Sequence, residues 1–388
     1  MRTSRHNGLV AMVNGHAQKQ RQYLVHEILA SAGITINGTM PWDIRINDER
    51  FYERIALEGS LGLGESYMDG WWDCDQIDEF FKRLMPLDPQ KKIRNDWHLL
   101  SRSLYVSIFN PSRKSKAFAI GEKHYDIGND LFAKMLDKRM VYSCGYWKNA
   151  RTLDEAQEKK LDLTCRKLGL KPGDRVLDIG CGWGGFARYA AETYGVSVVG
   201  ITVSRQQQEL GTQLCKGLPV ELRLQDYRDL DETFDHIVSI GMFEHVGWRN
   251  HRTYMEFVHK CLNDDGLFLL HTIGDRRSEQ VNDPWMGKYI FPNALIPSMG
   301  QIGTALDDLF IIEDVHNFGF YYDRTLMSWF ENFDRCWDSL KKAYDNRFYR
   351  MWKYYLLSSA GPFRARSLQV WQIILSKHGV SGGYSAVR

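Results

Sequence analysis

The chain contains no long apolar run. Nothing in its 388 residues approaches the roughly 18 consecutive apolar residues that a membrane-spanning helix needs. Met1 to Gln20 is polar and lacks the apolar centre of a secretory signal, so it reads as a disordered leader. The seven cysteines, at 74, 144, 165, 181, 215, 261 and 336, are scattered and form no Cys-x-x-Cys pair. A zinc or other metal site and a disulfide framework are therefore not expected, and a reducing cytoplasm fits. Net charge is only +2, so no global field calls for a nucleic-acid partner. There are no internal repeats and no low-complexity tracts.

What is present is ordinary in bulk. Hydrophobic residues make up 44% and charged residues 25%, as in a soluble globular protein. Aromatics are plentiful, at 19 Tyr, 19 Phe and 12 Trp. They either fill large cores or wall an apolar or cationic ligand.

Residues 21–90 read as a small, mainly helical N-terminal domain. Tyr23 to Ala30, Phe51 to Glu58 (closed by Gly59) and Gln76 to Met85 carry its helical patterns. Residues 91–118 read as a linker with basic ends (Lys91, Lys92, Arg94; Arg113, Lys114, Lys116) and an apolar middle including Trp97, Tyr105 and Phe109. Such a segment suits an anionic bilayer surface, or a packed helix with solvated ends. Residues 119–388 alternate strand and helix patterns. Strands are expected at Arg175–Ile179, Ser197–Ile201, Val220–Leu224, His236–Ile240 and Leu267–His271. Leu326 to Lys377 reads as helical. The fold class is α/β, a Rossmann-like, doubly wound and mostly parallel sheet.

The most telling stretch runs from Val176 to Ala191. An apolar strand enters a turn with Gly180, Gly182 and Gly184, and a helix follows. That is a nucleotide-type cofactor site at the carboxyl end of a first strand. Its spacing is not the Gly-x-Gly-x-x-Gly of a dinucleotide fold. Asp178 precedes the glycines and suits a ligand amino group, such as that of the methionine part of S-adenosylmethionine. The second strand ends near Thr202 and Gln207, with no lone ribose-binding acid. The third ends at Gln225, Asp226 and Tyr227, where Asp226 can accept from an adenine amine and Tyr227 can stack. Tyr142 and Ser143, upstream of the sheet, complete the expected cofactor set.

Further segments lie where chemistry belongs: Phe243-Glu-His-Val-Gly, Leu269-Leu-His-Thr-Ile-Gly, His124-Tyr-Asp-Ile-Gly-Asn-Asp-Leu-Phe and Tyr142-Ser-Cys-Gly-Tyr-Trp. With Gly62-Leu-Gly-Glu-Ser-Tyr-Met-Asp-Gly-Trp-Trp, Lys288-Tyr-Ile-Phe-Pro-Asn, His316-Asn-Phe-Gly and Phe363-Arg-Ala-Arg, these runs resemble the cyclopropane-fatty-acyl-phospholipid synthases of the enterobacterial type. The likeness spans roughly residues 24–388.

That resemblance implies transfer of the S-adenosylmethionine methyl to a cis double bond in an acyl chain of a membrane phospholipid. A carbocation results, and loss of a proton from the added methyl closes a cyclopropane ring. It implies bound bicarbonate as the base, cradled at five positions that fall on Cys144, Glu244, His271, Ile273 and Tyr322. It further implies a homodimer at the inner-membrane surface, with the N-terminal domain aiding dimerisation and lipid contact. Shorter mycolic-acid cyclopropane synthases lack that domain. Some relatives carry a cysteine where Ser359 stands, and this chemistry needs none.

The residue types suit the task. A carbocation must be kept from strong nucleophiles, in a dry site. His271 and Tyr322 can donate to a small anion, whereas an ionised Glu244 can only accept or orient. Cys144 is expected to act through its backbone or a weak S–H donor, and Ile273 through its backbone. On the residues alone, Cys144 and Tyr322 would pass as core, and Glu244 as half of a surface pair. Two other readings fit the same cofactor: a fatty-acyl methyltransferase making methyl-branched or methylene products, and a non-catalytic lipid-binding protein.

Overall fold

A computed structural model describes residues 19–87, 128–280 and 282–388. Most of the leader and the whole basic and aromatic linker lie outside the described residues. The chain divides into two compact units.

Of the described residues, the first unit contains 19–87 together with 283–290 and 337–367. This departs from the sequence reading, which placed everything after residue 119 in one domain. Helical backbone spans 19–31. Helices Arg50–Glu58, Ser60–Met68 and Ile77–Leu84 follow around a short antiparallel pair, β1 (Arg45–Ile46) and β2 (Trp72–Asp73). The later segments add helices Pro284–Tyr289 and Asn346–Arg364. Their docking is driven by aromatic burial: Trp72 is fully enclosed and meets Phe80 at 5.5 Å, Tyr67 at 5.1 Å and Tyr354 at 6.5 Å between ring centroids. Gly361 allows a close approach, since a Cβ there would lie 2.7 Å from the Asp78 carbonyl oxygen. Beside it Arg364 pairs with Asp78 at 2.6 Å and Glu79 at 2.7 Å. A helix's partner is chosen by which face it must bury, and chain position carries no trace of that choice.

Of the described residues, the second unit holds 128–280, 282, 291–336 and 368–388. Its sheet has seven strands: β3 (Arg175–Ile179), β4 (Ser197–Thr202), β5 (Val220–Leu224), β6 (Phe234–Ile240), β7 (Leu262–Asp275), β8 (Ile311–Asn317) and β9 (Leu368–Ser376), in the order β5-β4-β3-β6-β7-β9-β8. The first five are parallel, and β9 runs antiparallel between β7 and β8. The five expected strands are all present. The expected helical tail is corrected at its end, because Leu368–Ser376 is a strand. Residues Val370 to Ser376 are buried without alternation, polar Gln372 included, so the stretch carries no strand period to mark it.

Strand order reverses at β3, which has β4 on one side and β6 on the other. Ligands of open α/β sheets bind at the carboxyl ends beside such a switch point. Core side chains fill both faces, with Leu177, Ile237 and Phe268 on one and Val176, Val238 and Leu269 on the other. Among the described residues, no helix is long and apolar enough to cross a membrane.

Candidate active site

The pocket at the switch point is lined by Tyr142, Ser143, Asp178, Gly180, Gly182, Thr202, Gln207, Gln225, Asp226 and Tyr227, ten of the eleven expected cofactor residues. Gly184 does not line it; its neighbour Gly185 does. Gly180 has φ 81°, and a Cβ there would lie 2.6 Å from Met242 Cβ, so the turn requires glycine twice over. A Cβ on Gly182 would meet nothing within 4 Å.

Polar groups around this pocket are held by their neighbours. Thr202 Oγ1 donates to Gln207 Oε1 at 2.9 Å, and the Thr202 carbonyl accepts Gln225 N–H at 2.9 Å. The carboxylate of Asp226 is gripped by Arg228 at 2.6 Å and 2.8 Å. The Tyr227 ring packs on Tyr254 and Phe257, both at 5.2 Å, so its stacking surface is shared with the core. Asp178 is buried, and burial pushes its carboxyl up to about 7 against the pull of Lys160.

Lys160 was not singled out by the sequence reading. It stands on the helix Leu153–Leu168, fully buried, with Nζ 3.1 Å from Ser143 Oγ. Burial lowers its ammonium to about 8, against Asp137, Cys144 and Asp178. One helical turn earlier, Gln157 donates to the Ser143 carbonyl at 2.8 Å. The signal was available: Leu153, Ala156, Gln157, Lys160, Leu161 and Thr164 follow helical spacing, so a lysine lies in a buried stripe.

A second constellation adjoins the pocket. Met242 and His245 line it, and Glu244 lies between them in the 3-10 turn Phe243–His245 that follows β6. Glu244 Oε1 accepts the Ile273 N–H at 2.6 Å, while Oε2 is buried without a hydrogen-bond partner. Burial pushes this carboxyl up to about 7, opposed first by the Ile273 N–H. His271 precedes Ile273 by two residues on β7 and shares its face. Its imidazole is pushed well below its ordinary range by burial, then by Lys160 and Lys167, so it is neutral. Gln372 Nε2 lies 3.4 Å from His271 Nδ1.

Thr325 ties the loop that carries Cys144 to the helix that carries Tyr322. Thr325 Oγ1 accepts Gly145 N–H at 3.1 Å and Trp147 Nε1–H at 2.9 Å, and donates to the Tyr321 carbonyl at 3.0 Å. Cys144 is fully enclosed, and burial drives its thiol far above the ordinary range. Phe318, just before the helix of Tyr322, meets the His271 ring edge-on at 5.6 Å. A chain of packed rings runs from Tyr322 to the pocket residue Tyr142: Tyr322 meets Trp329 at 5.9 Å, Trp329 meets Tyr142 at 5.2 Å, and Tyr142 meets Phe132 at 5.2 Å. Of the five predicted positions, Glu244 and Ile273 are directly bonded and His271 shares the face of Ile273 on β7, whereas Cys144 and Tyr322 lie on a loop and a helix that Thr325 ties together through Gly145 and Trp147.

A glycine turn after the first parallel strand, and a pocket of this lining at the switch point, define the S-adenosylmethionine-dependent methyltransferase fold. Comparison narrows the class. The model of the mycolic acid cyclopropane synthetase family matches residues 112–373, and the chain belongs to that family. It is 50% identical over 365 residues to the cyclopropane-fatty-acyl-phospholipid synthase of Escherichia coli (strain K12), covering 94% of this chain and 95% of that protein. Among solved structures it resembles the cyclopropane synthase MmaA2 from Mycobacterium tuberculosis, with a TM-score of 0.63, 31% identity, and 67% and 98% of the two chains covered. It is similarly close to the mycolic acid cyclopropane synthase CmaA1 complexed with SAH and CTAB, with a TM-score of 0.63, 32% identity, and 67% and 98% coverage.

Proposed function

We propose that this enzyme methylates the cis double bond of unsaturated acyl chains in membrane phospholipids and closes a cyclopropane ring. The observation that carries the reading is Glu244, a buried acid with one oxygen fixed by the Ile273 N–H and the other unpaired, flanked in the chain by two residues of the donor pocket.

When bound, S-adenosylmethionine supplies an electrophilic methyl and bicarbonate a weak base. The donor set fits both. Asp178 suits an α-ammonium group, and Thr202, Gln207 and Asp226 offer acceptors along successive strand ends. For a small anion, neutral His271 offers an N–H and Tyr322 a hydroxyl. Glu244 Oε2 would accept from the anion's own O–H.

The chain's own residues then do three things. Tyr142 lines the pocket and can face a developing cation without reacting with it, and the buried rings of Phe132 and Trp329 back it and help exclude water. Cys144 is kept a thiol by burial, so it does not compete as a nucleophile. Glu244 and His271 hold the proton acceptor in place as the added methyl loses a proton.

The N-terminal unit is assigned to dimer formation and lipid contact, placing a homodimer peripherally on the cytoplasmic face of the inner membrane. Two such units on one vesicle would add avidity. Sedimentation and vesicle flotation test this part separately.

The central test incubates the protein with unsaturated phospholipid vesicles and labelled S-adenosylmethionine, then analyses the acyl chains by mass and proton NMR. Cyclopropane protons with loss of the olefin are expected. A labelled chain that keeps its olefin, or a methyl branch without a ring, would overturn the ring-closing step. Absence of label in lipid would overturn the enzyme reading.

A further inference from the structure

A buried lysine in a pocket for a cationic ligand calls for a reason. S-adenosylmethionine carries a sulfonium and an α-ammonium group, and a bare ammonium nearby repels both. Yet Lys160 lines the same pocket as Asp178 and Ser143, fully buried, with its Nζ directed at Ser143 Oγ. Its helix also fixes the Ser143 carbonyl through Gln157. The lysine is thus tied to one wall of the pocket while Asp178 stands at the end of β3.

We propose that Lys160 is a positioning residue for the methyl donor, a buried cation that sustains the anionic Asp178 needed to receive the donor's α-ammonium group. This rests on the donor reading above. A carboxylate enclosed in protein loses its hydration and tends to take up a proton. A protonated Asp178 would offer the α-ammonium group a donor facing a donor. Lys160 is the cation that opposes this, and Asp178 in turn is one of the groups that keep Lys160 charged.

The other ionisable groups around the pair cannot take over. Lys160 is faced by Asp137 and by the buried Cys144 thiol, besides Asp178. Asp137 is occupied by the backbone N–H groups of Val141 at 2.8 Å and Arg139 at 2.9 Å. His271 also senses Lys160 and stays neutral. Around Asp178 lie Cys181, Cys215 and Tyr254, whose own ionisation Asp178 opposes. His245, also on the pocket, is held neutral by burial, with its imidazole lowered to about 4. Arg228, the pocket's other cation, is committed to Asp226 at 2.6 Å.

The test is calorimetric binding of S-adenosylhomocysteine, which keeps the α-ammonium group and needs no turnover. Wild type, Lys160→Arg and Lys160→Met are compared from pH 6 to 9. Wild type and Lys160→Arg are expected to vary by less than about threefold between pH 7 and 9. Lys160→Met is expected to bind about tenfold or more weakly at pH 6.5 than at pH 9, because a tenfold change corresponds to one pH unit of carboxyl titration. A folded Lys160→Met with the wild-type pH profile overturns the proposal while leaving the donor reading intact. Wild type that does not bind at all overturns the donor reading, and this one with it. Should Lys160→Met fail to fold, Lys160→Gln, which likewise removes the cation, is measured in its place, with the same loss below pH 7 expected and a wild-type profile overturning the proposal.

Discussion

Glu244 Oε1 takes the Ile273 N–H at 2.6 Å, and Oε2 on the same carboxyl is buried and unpaired. Half of the group is therefore fixed to β7, and the other half is enclosed beside the pocket residues Met242 and His245. Burial raises its folded pKa from 4.5 to about 7. A raised carboxyl stabilises the fold fully below pH 4.5, and that contribution is lost as pH rises through about 7. Glu244→Gln keeps the bond to Ile273 and cannot ionise. It should be more stable than wild type at pH 8, by on the order of 2–3 kcal/mol, and no more stable at pH 4.5. Its activity should fall about a hundredfold or more. Urea denaturation at the two pH values checks the first part, and full activity in the variant would remove Glu244 from the site.

His271 should remain neutral with its proton on Nε2. Gln372 Nε2 serves both Thr164 Oγ1 at 3.1 Å and His271 Nδ1 at 3.4 Å. Thr164 spends its own proton on the Lys160 carbonyl at 2.8 Å. The amide nitrogen must therefore face this way, and Nδ1 accepts. Nitrogen NMR should show one neutral tautomer from pH 8 down to 5, and titration near 6.5 would contradict the assignment. Gln372→Glu puts an acceptor against Nδ1, which moves the ring proton there and raises the imidazole pKa. That variant should lose about tenfold or more in turnover with S-adenosylhomocysteine affinity unchanged.

Cys144 should resist alkylation. Its thiol is fully enclosed, and burial pushes its pKa well up, so little thiolate exists at neutral pH. Iodoacetamide at pH 8 is expected to label it at least about a hundredfold more slowly in the native protein than in urea. Rapid native labelling, located by peptide mass, would show a reactive thiol and undo its assignment as an inert donor.

Much of the donor pocket was legible because it is local. Asp178, Gly180, Gly182, Thr202, Gln207 and Gln225 sit at ends of strands whose apolar runs announce them. Glu244 and His271 could be placed at strand ends too, but their joint role came only from resemblance. The burial of Lys160 was legible from its helical stripe, but its partner was not, and Gln372 and Thr325 gave no signal, since each acts at a distance: Ser143 is 17 residues from Lys160, His271 is 101 from Gln372, and Gly145 is 180 from Thr325. The strand β9 was hidden for a related reason. Its residues are buried on both faces, which erases the alternation that marks a strand.

Thr325 carries the last prediction. Its hydroxyl accepts two buried donors, Gly145 N–H and Trp147 Nε1–H, and spends its proton on Tyr321. Thr325→Val preserves shape and removes every one of these bonds. Two buried N–H groups would lose their partner, at about 1–3 kcal/mol each, so a loss of about 2–6 kcal/mol is expected. Thr325→Ser keeps the oxygen and gives up one methyl, costing about 1 kcal/mol. The pair separates hydrogen bonding from packing. Because Thr325 ties the loop of Cys144 to the helix of Tyr322, the valine variant should also lose turnover while S-adenosylhomocysteine binding, made by other residues, stays near wild type. Urea denaturation and calorimetry on both variants measure the two effects. Equal stability of Val and Ser would mean the hydroxyl bridges nothing, and equal loss of binding and turnover would mean the damage is general.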